Sequence, residues 1–425
     1  MENQSAHQGQ GKLITDPVEL KEVVDLIDET GVFGLDLEFI PERTYYPIIC
    51  LVQIAVKDKV FLVDPIELKD LQNLWIRVAD PSITKVLHAA AQDLTIIFQR
   101  SGLIPKNIFD TQIAAGFLGL GYPAGYGKLL SALFDLNLSK TESFTDWQAR
   151  PLSQSQVEYA IDDALHLIPL YERLQKDLAQ RERLDWVIEE CKFYEQNSYY
   201  IKESGREFLR VKGAQGLNRR KLAVLQSVCL WREAEAKRID RPARSVINDN
   251  IMLELAKKPP RTVEDIQRIR GIRSDQLAGW GRKVMKVIEE ASGMADKDCP
   301  QWPSGRAPSK ADVMIADVLY TVLKIRALDL EIAPELIATR DELQGLVKIG
   351  REMNEGPERY RSDMEDTSNT ETSREVEPNA LTVGWRRRLA GNELLSVLRG
   401  TPVTVIITDN TAKPISINVA EATKP

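Results

Sequence analysis

One apolar segment interrupted by two acids constrains this chain more than any other feature. VFGLDLEFI (32–40) alternates with the period of a β-strand. Asp36 and Glu38 therefore leave one face, while Leu35, Leu37 and Phe39 leave the other. The turn-like PERTYYP leads into IICLVQIAV (48–56) and KVFLVDP (59–65), two further strands. Adjacent carboxylates among apolar residues repel one another unless something cationic neutralises them, and a divalent metal does so economically. The alternative is an ordinary polar strand face.

The following segments alternate strand and helix. A helix over 67–79 precedes the strand TKVLHA (84–89), the helix AQDLTIIFQRSG (91–102) and the helix DTQIAAGFLG (110–119). A Gly/Pro passage, GLGYPAGYG (119–127), opens the helix KLLSALF, and one long helix is predicted from Ser155 to about Leu178. Residues 1–14 read as a flexible tail, and Asp16 as the cap of ELKEVVDLID. Three consecutive strands followed by alternation predict a mixed sheet layered with helices, ending near residue 205. Asp93 falls in the first turn of its helix, where the dipole alone favours a carboxylate. Tyr159 and Asp163 stand four apart and share a helix face, whereas Asp162 turns about 100° away. His166, three residues from Asp163, is a packing residue or a same-face hydrogen-bond partner of that acid, and His88, at a strand end in apolar context, carries the same two readings.

Beyond residue 205 the pattern is helical, at 217–238, 245–256, 262–268 and 276–291. A second helical set follows the break QWPSGRAPS (301–309). Residues 352–380 are polar and read as a disordered insertion, GWRRRLAGNELLSVLRG returns to helix, and TPVTVIITDN contains a short strand of unknown pairing. A length of 425 residues suits two or three domains. The net charge of −7 hides a division: residues 1–200 carry −12 and residues 201–310 carry +10. An acidic front thus precedes a middle that offers a cationic surface to a polyanion, or merely solvates charged helices. Three histidines exclude a histidine-rich zinc site, so a metal site has to use carboxylates. Four scattered cysteines without a CxxC pair fit a reducing compartment. No signal-peptide pattern and no run of 18 apolar residues is present, so a cytoplasmic location without membrane association is expected.

VFGLDLEFIPERTYYPIICLVQIAV, KVLHAAAQDLTIIF and VEYAIDDALHLIPLY resemble, in order, the three motifs of the ribonuclease D family, in the DEDDy branch of the 3′–5′ exonucleases. FDTQIAAGFLG and DWQARPLS match as well, so the likeness covers the whole first domain. GLNRRKLAVLQSVCLWREAEAKRIDRPARSVINDNIMLELAKKPPRTVEDIQRIRGI looks like the HRDC helical module, and VMIADVLYTVLKIRALDLEIAPELIATRDELQGLV is similar to that family's second, degenerate unit. The insertion and the terminal VTVIITDN depart from the pattern. The resemblance implies an α/β ribonuclease H-like exonuclease domain (15–205), an HRDC domain (211–295) and a second helical unit (305–400) interrupted by the insertion, and it leaves residues 401–425 as a C-terminal extension.

It further implies two divalent cations, Mg²⁺ or Mn²⁺, held by Asp36, Glu38, Asp93 and Asp163. Asp36 would bridge the ions, Glu38 and Asp163 would complete the nucleophile side, and Asp93 would act through water on the leaving-group side. Tyr159 would position the attacking water, its phenol remaining protonated near neutral pH. The implied substrate is RNA with an accessible 3′ end, tRNA precursors foremost, releasing nucleoside 5′-monophosphates with no obligate protein partner. A DNA-directed repair exonuclease and an inactive RNA-binding scaffold are the alternatives; retention of all four acids and Tyr159 argues against the scaffold. Around the site, Phe39, Tyr45 and Tyr46 are candidates to stack on bases or to fill the core. Gln92 is a substrate contact or a helix cap. Arg43 and Arg150 are candidate phosphate clamps, and Arg219, Arg220 and Lys221 are candidate backbone contacts in the basic middle. Lys257, Lys258 and the cluster Arg386–Arg388 stand as weaker candidates of the same kind.

Overall fold

The computed structural model describes residues 11–138, 145–201, 205–272, 274–303, 308–354, 379–409 and 414–420. Most of the predicted insertion, 355–378, lies outside them, as do residues 1–10 of the predicted tail. The chain begins β1 (Gly11–Ile14), α1 (Pro17–Thr30), β2 (Val32–Ile40), β3 (Ile48–Val56) and β4 (Lys59–Val63). There follow α2 (Pro65–Leu68), α3 (Gln72–Ala79), β5 (Thr84–Leu87), α4 (Ala91–Ser101), β6 (Ile108–Asp110), α5 (Thr111–Phe117) and α6 (Tyr126–Phe134). Helices α7 (Gln154–Leu165), α8 (Leu167–Gln180), α9 (Leu184–Cys191) and α10 (Asn197–Tyr200) complete this part.

The six strands form one mixed sheet in the order β1-β4-β3-β2-β5-β6, with β2–β3 and β3–β4 antiparallel and the remaining pairs parallel. Residues 11–14 are therefore not tail. Lys12 and Leu13 pair with Phe61 and Leu62, so the apolar edge of β4 recruits them into the sheet. The predicted helix over 67–79 is two helices, because Lys69 takes a positive φ of 60° between α2 and α3. The long helix expected from Ser155 breaks at His166. Pro169 explains the break, since in a continuous helix its ring would collide with the carbonyl of Leu165.

The period-two pattern of β2 sorts the two faces of the sheet. Phe33, Leu35 and Leu37, with Val52, Ile54 and Val56, join Leu20, Val23 and Ile27 of α1 in the main core. The opposite face carries Gly34, Asp36 and Glu38, and there Leu51, Ala55, Val60 and Leu62 pack with Ala160, Ile161 and Ala164 of α7. Gly34 is required for this approach: a Cβ there would stand 2.9 Å from the Cβ of Leu167 and 3.0 Å from that of Ala55. Helix α7 thus lies directly across the strand that carries the paired acids.

The helical part comprises α11 (Arg219–Ile239), α12 (Ala243–Val246), α13 (Asp249–Lys257), α14 (Val263–Gln267) and α15 (Ser274–Ser292). It is built on its own core, in which Leu222, Leu225, Val228, Leu255, Val284 and Ile288 are buried. Next come α16 (Lys310–Asp329), α17 (Pro334–Ile337), α18 (Arg340–Asn354), α19 (Gly384–Arg386), a π turn at Arg387–Gly391, and α20 (Asn392–Leu398). These share the main core of the sheet domain. Trp385 stacks on Trp186 and meets Phe117 edge-on. Arg386 spends its guanidinium on Glu190, with contacts of 2.7 and 2.6 Å, and on the Leu336 carbonyl. This arginine anchors the unit and is not available to RNA. VTVII of the terminal segment forms β7 (Val403–Ile407), which pairs antiparallel with β8 (Ile415–Val419). Among the described residues no helix is long and apolar enough to cross a membrane.

Candidate active site

Three elements converge on one acidic cluster. Asp36 and Glu38 stand on β2, just before a bulge at which Glu38 opposes Leu51 while Phe39 opposes Ile49, leaving Cys50 as the extra residue. Such bulges re-aim side chains beside functional sites. Asp163 arrives from α7, whose start is fixed by a capping box between Ser153 and Gln156. Ligand oxygens of Asp36, Glu38 and Asp163 all lie within 4.8 Å of one another. Asp93, buried in the first turn of α4, stands outside that triplet, yet its charge acts on both Asp36 and Glu38.

Burial and mutual repulsion make these acids reluctant to ionise. Desolvation, then the charges of Asp93, Asp163 and Glu38, push Asp36 well above the ordinary carboxylate range. Desolvation with Asp163 and Asp93 raises Glu38 to about 8. Desolvation and Asp110 raise Asp93 to about 7. Asp163 rises to about 6, burial outweighing a hydrogen bond from Tyr159 that favours its charged form. Among the described residues, no lysine or arginine is a leading influence on any of the four. A half-buried carboxylate triplet with a buried fourth acid nearby, unpaired with a protein cation among the described residues, fits a hard divalent ion, which prefers oxygen ligands.

Asp110, which the sequence reading left unremarked, organises the Asp93 side. It caps α5 through Gln112 and accepts from the backbone N–H groups of Ala89 and Ala90 and from the Tyr194 hydroxyl. Those bonds hold the turn entering α4, where Ala89 sits at φ 58°. Aspartate immediately before a helical run was the available signal. His88 is half-buried with Nδ1 2.9 Å from the Thr111 hydroxyl, and desolvation lowers its pKa. Tyr126, from the Gly/Pro passage, packs near the His88 ring, and its hydroxyl feels the charges of Asp163 and Asp36. Gln53 also escaped the sequence reading, although it was the one amide in an otherwise apolar strand.

The candidate substrate contacts divide. Arg150 is not a phosphate clamp: its five N–H donors go to both oxygens of Asp64 and to the carbonyls of Trp147, Ala149 and Cys50. Tyr45 is not a base-stacking platform either. Its N–H donates to Asp240 at 3.0 Å, its hydroxyl to Glu233 at 3.2 Å, and Lys237 lies over its ring. All three partners are at or beside α11, so Tyr45 docks the β2–β3 loop onto the helical part. Phe39 is half-buried against the main core. Arg43 stays half-exposed, donating to Gln148 at 2.5 Å. Gln92 is exposed on α4 and does not cap it. Arg219 donates to the Cys299 carbonyl; Arg220 bonds the Ser292 and Met294 carbonyls and pairs with Asp296. Lys221 makes no ion pair among the described residues.

Comparison with known proteins agrees with this geometry. The 3′-5′ exonuclease family model matches residues 12–179 and the HRDC domain model residues 221–288. Ribonuclease D of Granulibacter bethesdensis is 34% identical over 91% of this chain and 92% of its own length. That of Zymomonas mobilis is 32% identical over 91% and 94%. The chain belongs to the ribonuclease D family. It is accordingly a 3′–5′ exoribonuclease, with the mixed-sheet and HRDC architecture of that family. The crystal structure of Escherichia coli RNase D, described as an exoribonuclease involved in structured RNA processing, superposes with a TM-score of 0.77 at 25% identity. That match covers 92% of this chain and 99% of the other. The catalytic core of RRP6 from Trypanosoma brucei shares the fold, with a TM-score of 0.53 at 24% identity over 67% of this chain and 80% of that one.

Proposed function

We propose that Asp36, Glu38, Asp93 and Asp163 hold two divalent cations, Mg²⁺ or Mn²⁺, and that the site removes nucleoside 5′-monophosphates from the 3′ ends of RNA, tRNA precursors foremost. The observation that carries this reading is the uncompensated cluster: three carboxylates within 4.8 Å and a fourth in electrostatic reach. Such ions supply charge stabilisation for the phosphoryl oxygens and the departing 3′ oxygen. Asp36 feels the charges of Asp93, Asp163 and Glu38 alike, which would suit a bridging ligand. Glu38 and Asp163 complete the nucleophile side, and Asp93 serves the leaving-group side. Tyr159, already bonded to Asp163, orients the attacking water with its phenol. Residues 11–205, with β1 included, act as the cutting unit and 211–295 as the unit that holds RNA by its backbone.

A time course with Mg²⁺ and matched 5′-labelled RNA and DNA carrying single-stranded 3′ tails tests the reading. A ladder shortening from the 3′ end of RNA supports it, preference for DNA transfers it to the repair reading, and no cleavage of either leaves a scaffold. Tyr159→Phe should retain the fold and slow single-turnover hydrolysis by about 10²-fold. A near-wild-type rate would remove the tyrosine from the mechanism.

Tyr45 adds an expectation about the two units. Tyr45→Ala should weaken affinity for a structured RNA about tenfold, because it loses one hydroxyl–carboxylate hydrogen bond and a half-exposed cation–π pair but keeps the backbone bond to Asp240. Cleavage of a short single strand at saturation should be unchanged. Filter binding and short-oligonucleotide kinetics read the two effects separately.

A further inference from the structure

Strand β3 carries one side-chain amide, and it is placed against the acids. Gln53 is fully buried, and neither its Nε2 nor its Oε1 has a hydrogen-bond partner. It pairs directly with Asp36 across the antiparallel β2–β3 ladder. Directly opposed residues leave the same face with Cβ atoms about 4.5–5.5 Å apart, within the span of a glutamine side chain. Apart from the acids, the surroundings of Gln53 are apolar: Leu51, Ala55 and Leu62 flank it, and α7 brings Ala160 and Ala164 to the same face. An amide sealed among these groups loses its water without recovering a partner, which proteins seldom tolerate without a reason.

The ligand that lacks support is its neighbour. The backbone N–H of Leu37 lies near the Asp36 carboxylate and favours its charged form, and the charges of Asp93, Asp163 and Glu38 oppose that form. Nothing described above fixes which way its carboxylate turns. Ligating carboxylates depend on outer hydrogen bonds to fix their orientation.

We propose that Gln53 is a positioning residue for Asp36: in the cation-loaded site its Nε2–H donates to the Asp36 carboxylate and fixes that ligand's orientation. The proposal rests on the cation-binding reading given above. Gln53 touches neither substrate nor reacting atoms on this account; it acts through Asp36.

Gln53→Leu separates this role from simple packing, because leucine fills similar volume and removes both unpaired atoms. Replacing a buried, unpaired polar group by an apolar one of like shape is neutral or stabilising, so the melting temperature of the full-length variant should hold or rise. Its affinity for Mn²⁺, measured by calorimetry without RNA, should fall about 10- to 100-fold. Turnover of a short RNA at fixed Mn²⁺ should fall with it, at unchanged KM. Wild-type Mn²⁺ affinity and turnover in a stably folded Gln53→Leu protein would overturn the proposal. Should that variant not melt cooperatively, Gln53→Met, unbranched and of the same length, is read the same way. A structure of the unaltered protein soaked with Mg²⁺ decides independently: Nε2 within about 3.2 Å of an Asp36 oxygen supports the proposal, and a separation beyond about 3.5 Å overturns it. Wild-type protein that binds no Mn²⁺ would instead refute the cation reading itself.

Discussion

Asp36→Asn should abolish measurable hydrolysis, lowering the single-turnover rate by about 10³-fold or more, while making the metal-free protein more stable at pH 8. Both effects have one cause. Asp36 lies among Glu38, Asp93 and Asp163, so its charge is worth most when cations are bound and costs most when they are absent. A single preorganised electrostatic group removed from a catalytic site costs about 10²–10³ in rate. Loss of a shared cation ligand adds to that. In the opposite sense, the folded state holds Asp36 well above its unfolded pKa, so stability is lost as pH rises toward that folded value. Asparagine cannot ionise and escapes the loss. Paired single-turnover and thermal-melt measurements check the claim, and a variant that loses activity together with stability at pH 8 refutes it.

What the sequence made legible was local. Asp36 and Glu38 stood out because alternation exposed them as polar positions of one strand face, and Tyr159 and Asp163 because four residues make one helical turn. Both patterns need only the geometry of a single element, and the fold preserves that geometry. The misread positions depend on partners distant in the chain. Arg150 looked like a clamp because nothing nearby revealed that Asp64, 86 residues earlier, would take its guanidinium. Tyr45 looked like a stacking aromatic because its partners lie far along the chain, Glu233 on α11 and Asp240 just after it. Gln53 was invisible for the same reason, since only strand register sets it opposite Asp36. The break at His166 was local and readable, but the strong apolar period on either side masked Pro169.

Raising the pH from 5 to 8.5 should progressively destabilise the metal-free protein, and Mn²⁺ should reverse that loss at the upper end while doing little at the lower. The sign follows from the folded values. Glu38 is held at about 8, Asp93 at about 7 and Asp163 at about 6, each above its ordinary carboxylate value. A raised carboxylate contributes stability that is intact below its unfolded pKa and is lost as pH climbs through the folded pKa, since the folded state then binds more protons. The window therefore runs from about pH 5 to about pH 8 for these three, with Asp36 extending it upward. Two other groups tilt the other way: desolvation depresses half-buried His88, and it depresses buried Lys85 to about 7, so each contributes stability that is lost as pH falls. Neither is among the acids proposed to hold the cations, and their contributions cancel when melts with and without Mn²⁺ are subtracted. The difference should be near zero at pH 5, where protonated acids cannot bind. At pH 8.5, with Mn²⁺ at a hundred times its dissociation constant, linkage supplies about 2.7 kcal/mol, a shift of several degrees in the transition of the sheet domain. A difference that does not change with pH would mean that these four carboxylates do not hold the ion.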